Sequence, residues 1–255
     1  MSLDLTPAPG AAPAARRWLS QSRMELRLLL RNGEQLLLTV VIPVLLLVVG
    51  SRSSRFVGGD RAIDVVAPGV LALAVVSTSF TSLAIATAFE RRYGVLKRLG
   101  ATPLSRTGLL LGKVTAVLVV EIAQLVLLSG IALALGWQPD GGALAWVWLP
   151  IVALLGTVAF GGLGLLLAGT VRAEATLGLA NLLYVLMLVG GGLLVPLDRY
   201  PAAVRDLVLA LSSGALGEGL RNVFVTGSPG TVEVAVLAAW AVAAAVAAGR
   251  WFKWE

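Results

Sequence analysis

Six long apolar runs set the terms on which this chain can fold. They cover approximately residues 35–51, 65–89, 107–135, 142–170, 175–197 and 232–249. A hydrocarbon layer about 30 Å thick is crossed by roughly 20 apolar residues in an α-helix, because each residue rises about 1.5 Å. Only 13% of the residues are charged, whereas a soluble domain carries about 25%. A water-soluble globule needs that charge on its surface, so the solvent that suits this sequence is lipid. The first and last runs are short, bounded by Glu34 and Arg52 and by Glu233 and Arg250, and their flanking side chains must reach for the interface. The third and fourth are long enough to tilt. The expected fold is therefore an all-α integral membrane protein with six transmembrane helices.

The net charge is +6, and its placement decides what it means. Nucleic-acid binding needs basic residues gathered on one surface, but here they punctuate the apolar runs, as topology signals do. With the amino terminus inside, thirteen basic residues fall on that side: five from Arg16 to Arg31, five from Arg91 to Arg106, then Arg172, Arg250 and Lys253. Six fall on the other: Arg52, Arg55, Arg61, Arg199, Arg205 and Arg221. The asymmetry places both termini in the cytoplasm. Lys113 lies inside the third run, near enough to its inner end to snorkel.

The chain contains neither Cys nor His. Disulfides, thiolate nucleophiles, imidazole acid–base catalysis and the common zinc ligand sets are all excluded. A phosphate-cradling loop needs G-x-x-x-x-G-K-[ST] between a strand and a helix. The run Gly108-Leu109-Leu110-Leu111-Gly112-Lys113-Val114 is one residue short, lacks the hydroxyl residue and lies within an apolar span. No cofactor is expected on this chain, no metal site and no ATPase site, so it is not read as an enzyme. An intramembrane enzyme would need converging acid–base groups that it does not have. A gradient-driven secondary transporter is the alternative within transport, although no repeated halves are evident and only one deep acid is present. A non-transport membrane scaffold is the alternative from another class.

Residues 1–15 are rich in Pro and Ala and read as a disordered cytoplasmic tail. In residues 16–32, Arg16, Ser20, Arg23, Arg27 and Arg31 share one helical stripe, with Trp18, Leu26, Leu28 and Leu29 elsewhere round the helix, which suits an interfacial amphipathic helix. Between the second and third runs, Val95, Leu96 and Leu99 make the apolar face of a short helix that Gly100 can end. Thr102-Pro103 is suited to start the next. The result is a cationic helical elbow beneath the membrane.

The run Glu90-Arg91-Arg92-Tyr93-Gly94-Val95-Leu96-Lys97-Arg98-Leu99, followed by Ala101-Thr102-Pro103-Leu104-Ser105-Arg106, resembles the loop between spans two and three of type-2 ATP-binding-cassette exporter permeases, a group that includes the daunorubicin-resistance permeases. Pro196, Tyr200 and Pro201, followed by Gly217-Glu218-Gly219-Leu220-Arg221, are similar to that family's outer re-entrant hairpin between spans five and six. The resemblance implies that residues 33–255 form a six-span permease domain in the plasma membrane. It implies a separate ABC ATPase, in two copies, which carries the ATP and Mg, and a second permease that is either the same chain or a paralogue. Glu90, Arg91, Arg92, Tyr93, Gly94, Leu96, Lys97, Arg98 and Leu99 would couple to the ATPase. Pro196, Tyr200, Pro201, Glu218 and Arg221 would form the outer gate. Such a complex moves an amphipathic, drug-like or lipid-like substrate outward by alternating access.

Ionisable and amide side chains deep in the runs are candidates for the substrate path. Glu121 and Gln124 stand three residues apart in the third span, and Asn181 and Tyr184 three apart in the fifth. Each pair also suits plain interhelical hydrogen bonding. The glycines of the fourth span, Gly156, Gly161, Gly162 and Gly164, suit close helix packing. The triplet Gly190-Gly191-Gly192 with Pro196 suits a break before two short outer helices.

Overall fold

The computed structural model describes residues 10–33, 37–52 and 61–253, without the side chains of Leu38 and Arg106. Residues 1–9 of the tail expected over 1–15, the flank at Glu34 and the loop carrying Arg55 lie outside the described residues, and Ala14 and Ala15 of that tail already belong to the first helix, since alanine favours helix. Helix accounts for 84% of the structure, and no strand occurs among the described residues.

The order of elements is as follows. Helix α1 is Ala14–Arg31. Helix α2 begins with a π turn, Leu37–Val41, and continues as Ile42–Ser51. Helix α3 is Ala62–Arg92 and contains a second π segment, Ser77–Ser82. The elbow helix α4 is Val95–Gly100. Helix α5 is Arg106–Ala134, α6 Gly142–Thr170 and α7 Ala173–Gly190. A single 3₁₀ turn, Leu197–Arg199, leads to α8, Ala202–Ala210, then α9, Ser212–Thr226, and α10, Thr231–Trp251. Helices α3, α5, α6, α7 and α10 are long and apolar enough to cross a membrane, while the first expected span appears as a shorter apolar helix, Thr39–Ser51.

Helix α3 is the axis of the bundle. Within it, 89% of the apolar window is buried, against 17% for α7 and 22% for α10. Its residues 70–76 are enclosed on every side of the helix, which a chain in lipid achieves only when other helices surround it. Lipid tails are as apolar as leucine, so the bundle is held by close packing and internal hydrogen bonds rather than by expulsion of water. The α6–α10 seam shows this. Leu237, Ala241, Ala244 and Ala248 recur every three or four residues on the buried face of α10, with Gly162 of α6 set against Ala244.

Two local readings of the sequence are corrected. The residue that caps α5 is Ser105, whose hydroxyl accepts from the Gly108 N–H at 3.0 Å, and not Thr102-Pro103. Thr102 instead closes the end of the elbow by donating to the Leu99 carbonyl at 2.6 Å. The fifth span stops at Gly190, seven residues before the expected end at 197, because the glycine triplet ends the helix ahead of Pro196.

Candidate functional site

At the end of the bundle that carries most of the basic residues, α1, α3 and α5 converge on one ammonium group. Lys113 is 2% exposed, and its Nζ lies 3.0 Å from the Glu25 carboxylate and 2.7 Å from Glu90 Oε1. Gln21 adds a hydrogen bond to Glu25 at 2.6 Å. Lys113 therefore does not snorkel: two carboxylates hold it inside the protein, where an unpaired charge would be costly. Gly112 allows this, since a side chain there would run into Gln21, and its absence lets α1 lie against α5. The face that α1 buries is polar, Gln21, Ser22 and Glu25, while Arg16, Ser20, Arg23, Arg27 and Arg31 are exposed as expected. Trp18 donates to Thr115 at 3.2 Å, and Arg17 reaches the Pro103 carbonyl in the turn after the elbow.

The elbow hangs from this cluster. Gly94 adopts φ 68°, a left-handed value that a side chain resists, and so turns the chain sharply between α3 and α4. Leu96 is buried and anchors the elbow, with Val95 and Leu99 half-buried beside it. Tyr93, Lys97 and Arg98 point into the open. The residues just before the turn are tied to other helices. Arg91 donates to the carbonyls of Gly169 and Val171, meeting the negative end of α6, and Arg92 pairs with Glu174 of α7. Of the nine residues assigned to coupling, Glu90, Arg91 and Arg92 bind the rest of the chain, and Tyr93, Lys97 and Arg98 make up its free face.

The candidate path residues do not converge. Glu121 is buried against α6, with both carboxylate oxygens 2.6 and 2.8 Å from the Thr157 hydroxyl. That hydroxyl also faces the Ala153 carbonyl at 2.8 Å, and it edges a cavity of about 400 Å³ between α5, α6 and α10. Gln124 turns the other way, accepting from Thr78 at 2.7 Å and donating to the Thr39 carbonyl, which links α2, α3 and α5. Asn181 is exposed and Tyr184 half-buried. A larger cavity, about 580 Å³, is lined by other residues, including Phe80, Phe160, Met187 and Trp240.

The sequence reading passed over the run Ser77-Thr78-Ser79-Phe80-Thr81-Ser82, all of it buried. Five hydroxyl residues in six, inside an otherwise apolar span, were the available signal. They form a π segment, a wider turn that often marks a functional position in a helix.

At the opposite end three of the expected gate residues, Tyr200, Glu218 and Arg221, gather around the chain at residues 192–197. Arg221 is buried. It donates to the Gly192 carbonyl at 3.0 Å, to the Leu193 carbonyl, and to Glu218 at 3.2 Å. Glu218 also accepts from the Leu197 N–H at 3.4 Å, and the Gly192 N–H donates to the Tyr200 hydroxyl at 3.3 Å. Burial pulls the Arg221 pKa down from its ordinary value, and the Glu218 carboxylate works against that drop. Pro196 and Pro201 stand immediately before the 3₁₀ turn and α8.

A family model described as ABC-2 type transporter matches residues 14–224, which takes in the elbow, the charge cluster and the Arg221 hub. The chain belongs to the ABC-2 type transporter family. It is thus the membrane subunit of an ABC exporter, a class whose ATPase is a separate subunit. This ABC-2 permease is 27% identical over 225 residues to the probable doxorubicin resistance ABC transporter permease protein DrrC of Mycobacterium tuberculosis, in both strains CDC 1551 / Oshkosh and H37Rv; the match covers 81% of this chain and 78% of the relative. It is 25% identical over 170 residues to the putative transport permease YvfS of Bacillus subtilis strain 168, covering 65% of this chain and 67% of that one.

Proposed function

We propose that this permease forms half of the membrane part of a drug- or lipid-exporting complex in the plasma membrane, paired with a copy of itself or a paralogue and driven by two ATPase subunits. The short helix Thr39–Ser51 completes six spans, both termini face the cytoplasm, and α8 and α9 dip into the outer leaflet. The name of the mycobacterial relative favours an amphipathic, drug-like cargo, and the mostly apolar 580 Å³ cavity suits one.

The observation that carries the reading is the division of labour around the elbow. Its roots, Glu90, Arg91 and Leu96, are tied into α1, α5 and α6, while Tyr93, Lys97 and Arg98 are left on the outside. A push on the free face is therefore passed to α3 and α5 as a rigid movement, which is what alternating access between two packings requires. Tyr93 stacks on Phe89 and lies beneath Arg92 but keeps most of its ring exposed, and among the described residues the side chains of Lys97 and Arg98 make no hydrogen bond or ion pair, so this face is available to a partner.

The test is Lys97→Glu with Arg98→Glu in the complete complex. The double variant keeps its expression and melting temperature, and substrate-stimulated ATP hydrolysis falls by about tenfold or more, the loss expected when two interfacial charges oppose their partner at about 1.4 kcal/mol per tenfold. Unchanged stimulation, or ATP hydrolysis by the purified chain alone, overturns the reading.

A further inference from the structure

Two cavities meet at Thr170. Below it, at the basic end, lies a cavity of about 530 Å³ whose charged lining is Arg91, Arg92, Arg172, Lys253 and one carboxylate, Glu174. Above it lies the apolar cavity of about 580 Å³, which Thr170 also lines. We propose that the pair forms one binding site for an anionic phospholipid of the inner leaflet, headgroup below and acyl chain above.

The charge accounting favours an anion. Glu174 is already taken by Arg92, and Arg91 is spent on the α6 carbonyls. Arg172 and Lys253 are exposed, and among the described residues neither side chain makes a hydrogen bond or an ion pair. Their charges converge from two different elements. Arg172 comes from the α6–α7 turn, and Lys253 from the end of the chain, held in place by its own N–H donating to the Gly169 carbonyl at 3.3 Å. The first turn of α7, Ala173 and Glu174, opens on the same cavity, so the positive end of that helix adds to the field. Basic pockets between membrane helices at the cytoplasmic face hold acidic headgroups by this chemistry.

The apolar half selects a lipid over a small anion. Leu163, Leu166, Leu167 and Thr170 present one face of α6 at three- and four-residue spacing, rising about 10 Å from the cationic floor at about 1.5 Å per residue. That stretch is most of a leaflet of about 15 Å, half the hydrocarbon thickness, and the cavity continues past Phe80 and Phe160 to Gly190, Leu211 and Ser213 towards the other end of the bundle, so the acyl chain takes only its lower part. Helix α7 lies mostly open, so the slot is reached sideways from the bilayer. The apolar half is the cavity that also suits a cargo under the proposed function, so a bound lipid and a cargo are expected to compete for it, whether or not the lipid is itself exported.

The experiment is native mass spectrometry of the full-length permease in detergent, titrated with phosphatidylglycerol, phosphatidylcholine or inorganic phosphate. Phosphatidylglycerol is retained at least about tenfold more tightly than phosphatidylcholine. Arg172→Gln with Lys253→Gln removes that preference, Arg172→Lys keeps it, and Leu166→Trp, which fills the slot, weakens lipid retention without lowering the melting temperature. An undiminished preference in the double glutamine variant overturns the site. So does displacement of phosphatidylglycerol by millimolar phosphate together with no effect of Leu166→Trp, since that marks a small-anion site. If the double glutamine variant fails to fold, Leu166→Trp and phosphate competition in the native chain still decide the matter. The readout uses no ATPase, so a negative result leaves the exporter reading standing.

Discussion

The permease buries charge at both ends of its bundle, but neutralises it in two different ways. At the basic end Lys113 is met by side chains, Glu25 and Glu90, brought from α1 and α3 to α5. At the other end Arg221 is met chiefly by the backbone, the carbonyls of Gly192 and Leu193, with Glu218 only one turn away on its own helix. The first arrangement joins three separate helices through their side chains. The second is available only because α7 stops at Gly190 and exposes carbonyls that a continuing helix would have used. A charge cluster of the first kind fastens separate helices to one another, and one of the second kind fastens a break between helices.

The largest effect that tests this contrast is expected at Lys113. Lys113→Met keeps the bulk of the side chain and leaves two carboxylates facing each other in a buried site, a loss of about 3–5 kcal/mol. The melting temperature in detergent falls sharply, and α1 comes away from α5, seen as increased proteolysis around Arg23 and Arg27. Adding Glu25→Gln and Glu90→Gln to Lys113→Met recovers most of the loss, because a neutral cluster has no charge left to desolvate. If the triple variant is no more stable than Lys113→Met alone, the cluster is not held by charge balance.

The next effect is expected at Arg221. Arg221→Met strands two buried carbonyls and removes a partner of Glu218, for about 2–3 kcal/mol. Its damage stays at the Arg221 end: α8 and α9 loosen while α1 remains protected, the reverse of Lys113→Met in hydrogen exchange. Equal loss of protection at both ends would show that the two clusters report one cooperative unit.

How much of this was legible beforehand follows the same contrast. The run at 142–170 was read to the residue, because apolar length and the glycines and charges at its edges are local properties. The gathering of Tyr200, Glu218 and Arg221 around the chain at residues 192–197 could be expected from a family likeness that spans one short stretch of chain. The Lys113 cluster could not. Glu25 lies 88 residues from Lys113, and nothing in α1 distinguishes Glu25 from an interfacial acid until α5 is laid beside it. The Thr157 contact to Glu121 is similar, 36 residues away and carried by a threonine in a run read as a glycine packing face. Periodicity gives the helices and their faces, but which polar residue on one helix meets which on another depends on how the bundle packs.

The smallest effect is the most discriminating, because its sign differs between the ends. Glu90→Gln and Glu218→Gln make the same change to carboxylates of similar exposure, 17% and 22%. At the basic end two carboxylates serve one ammonium, so neutralising Glu90 leaves a balanced pair with Glu25, and the stability changes by less than about 0.5 kcal/mol or rises. At the opposite end Glu218 is the acid paired with Arg221, and its neutralisation leaves that guanidinium with backbone dipoles alone, a loss of about 1 kcal/mol. Melting curves of the two variants side by side check this. A loss at Glu90 as large as that at Glu218 means that both carboxylates are needed by Lys113, and that the basic end is held by geometry rather than by charge balance.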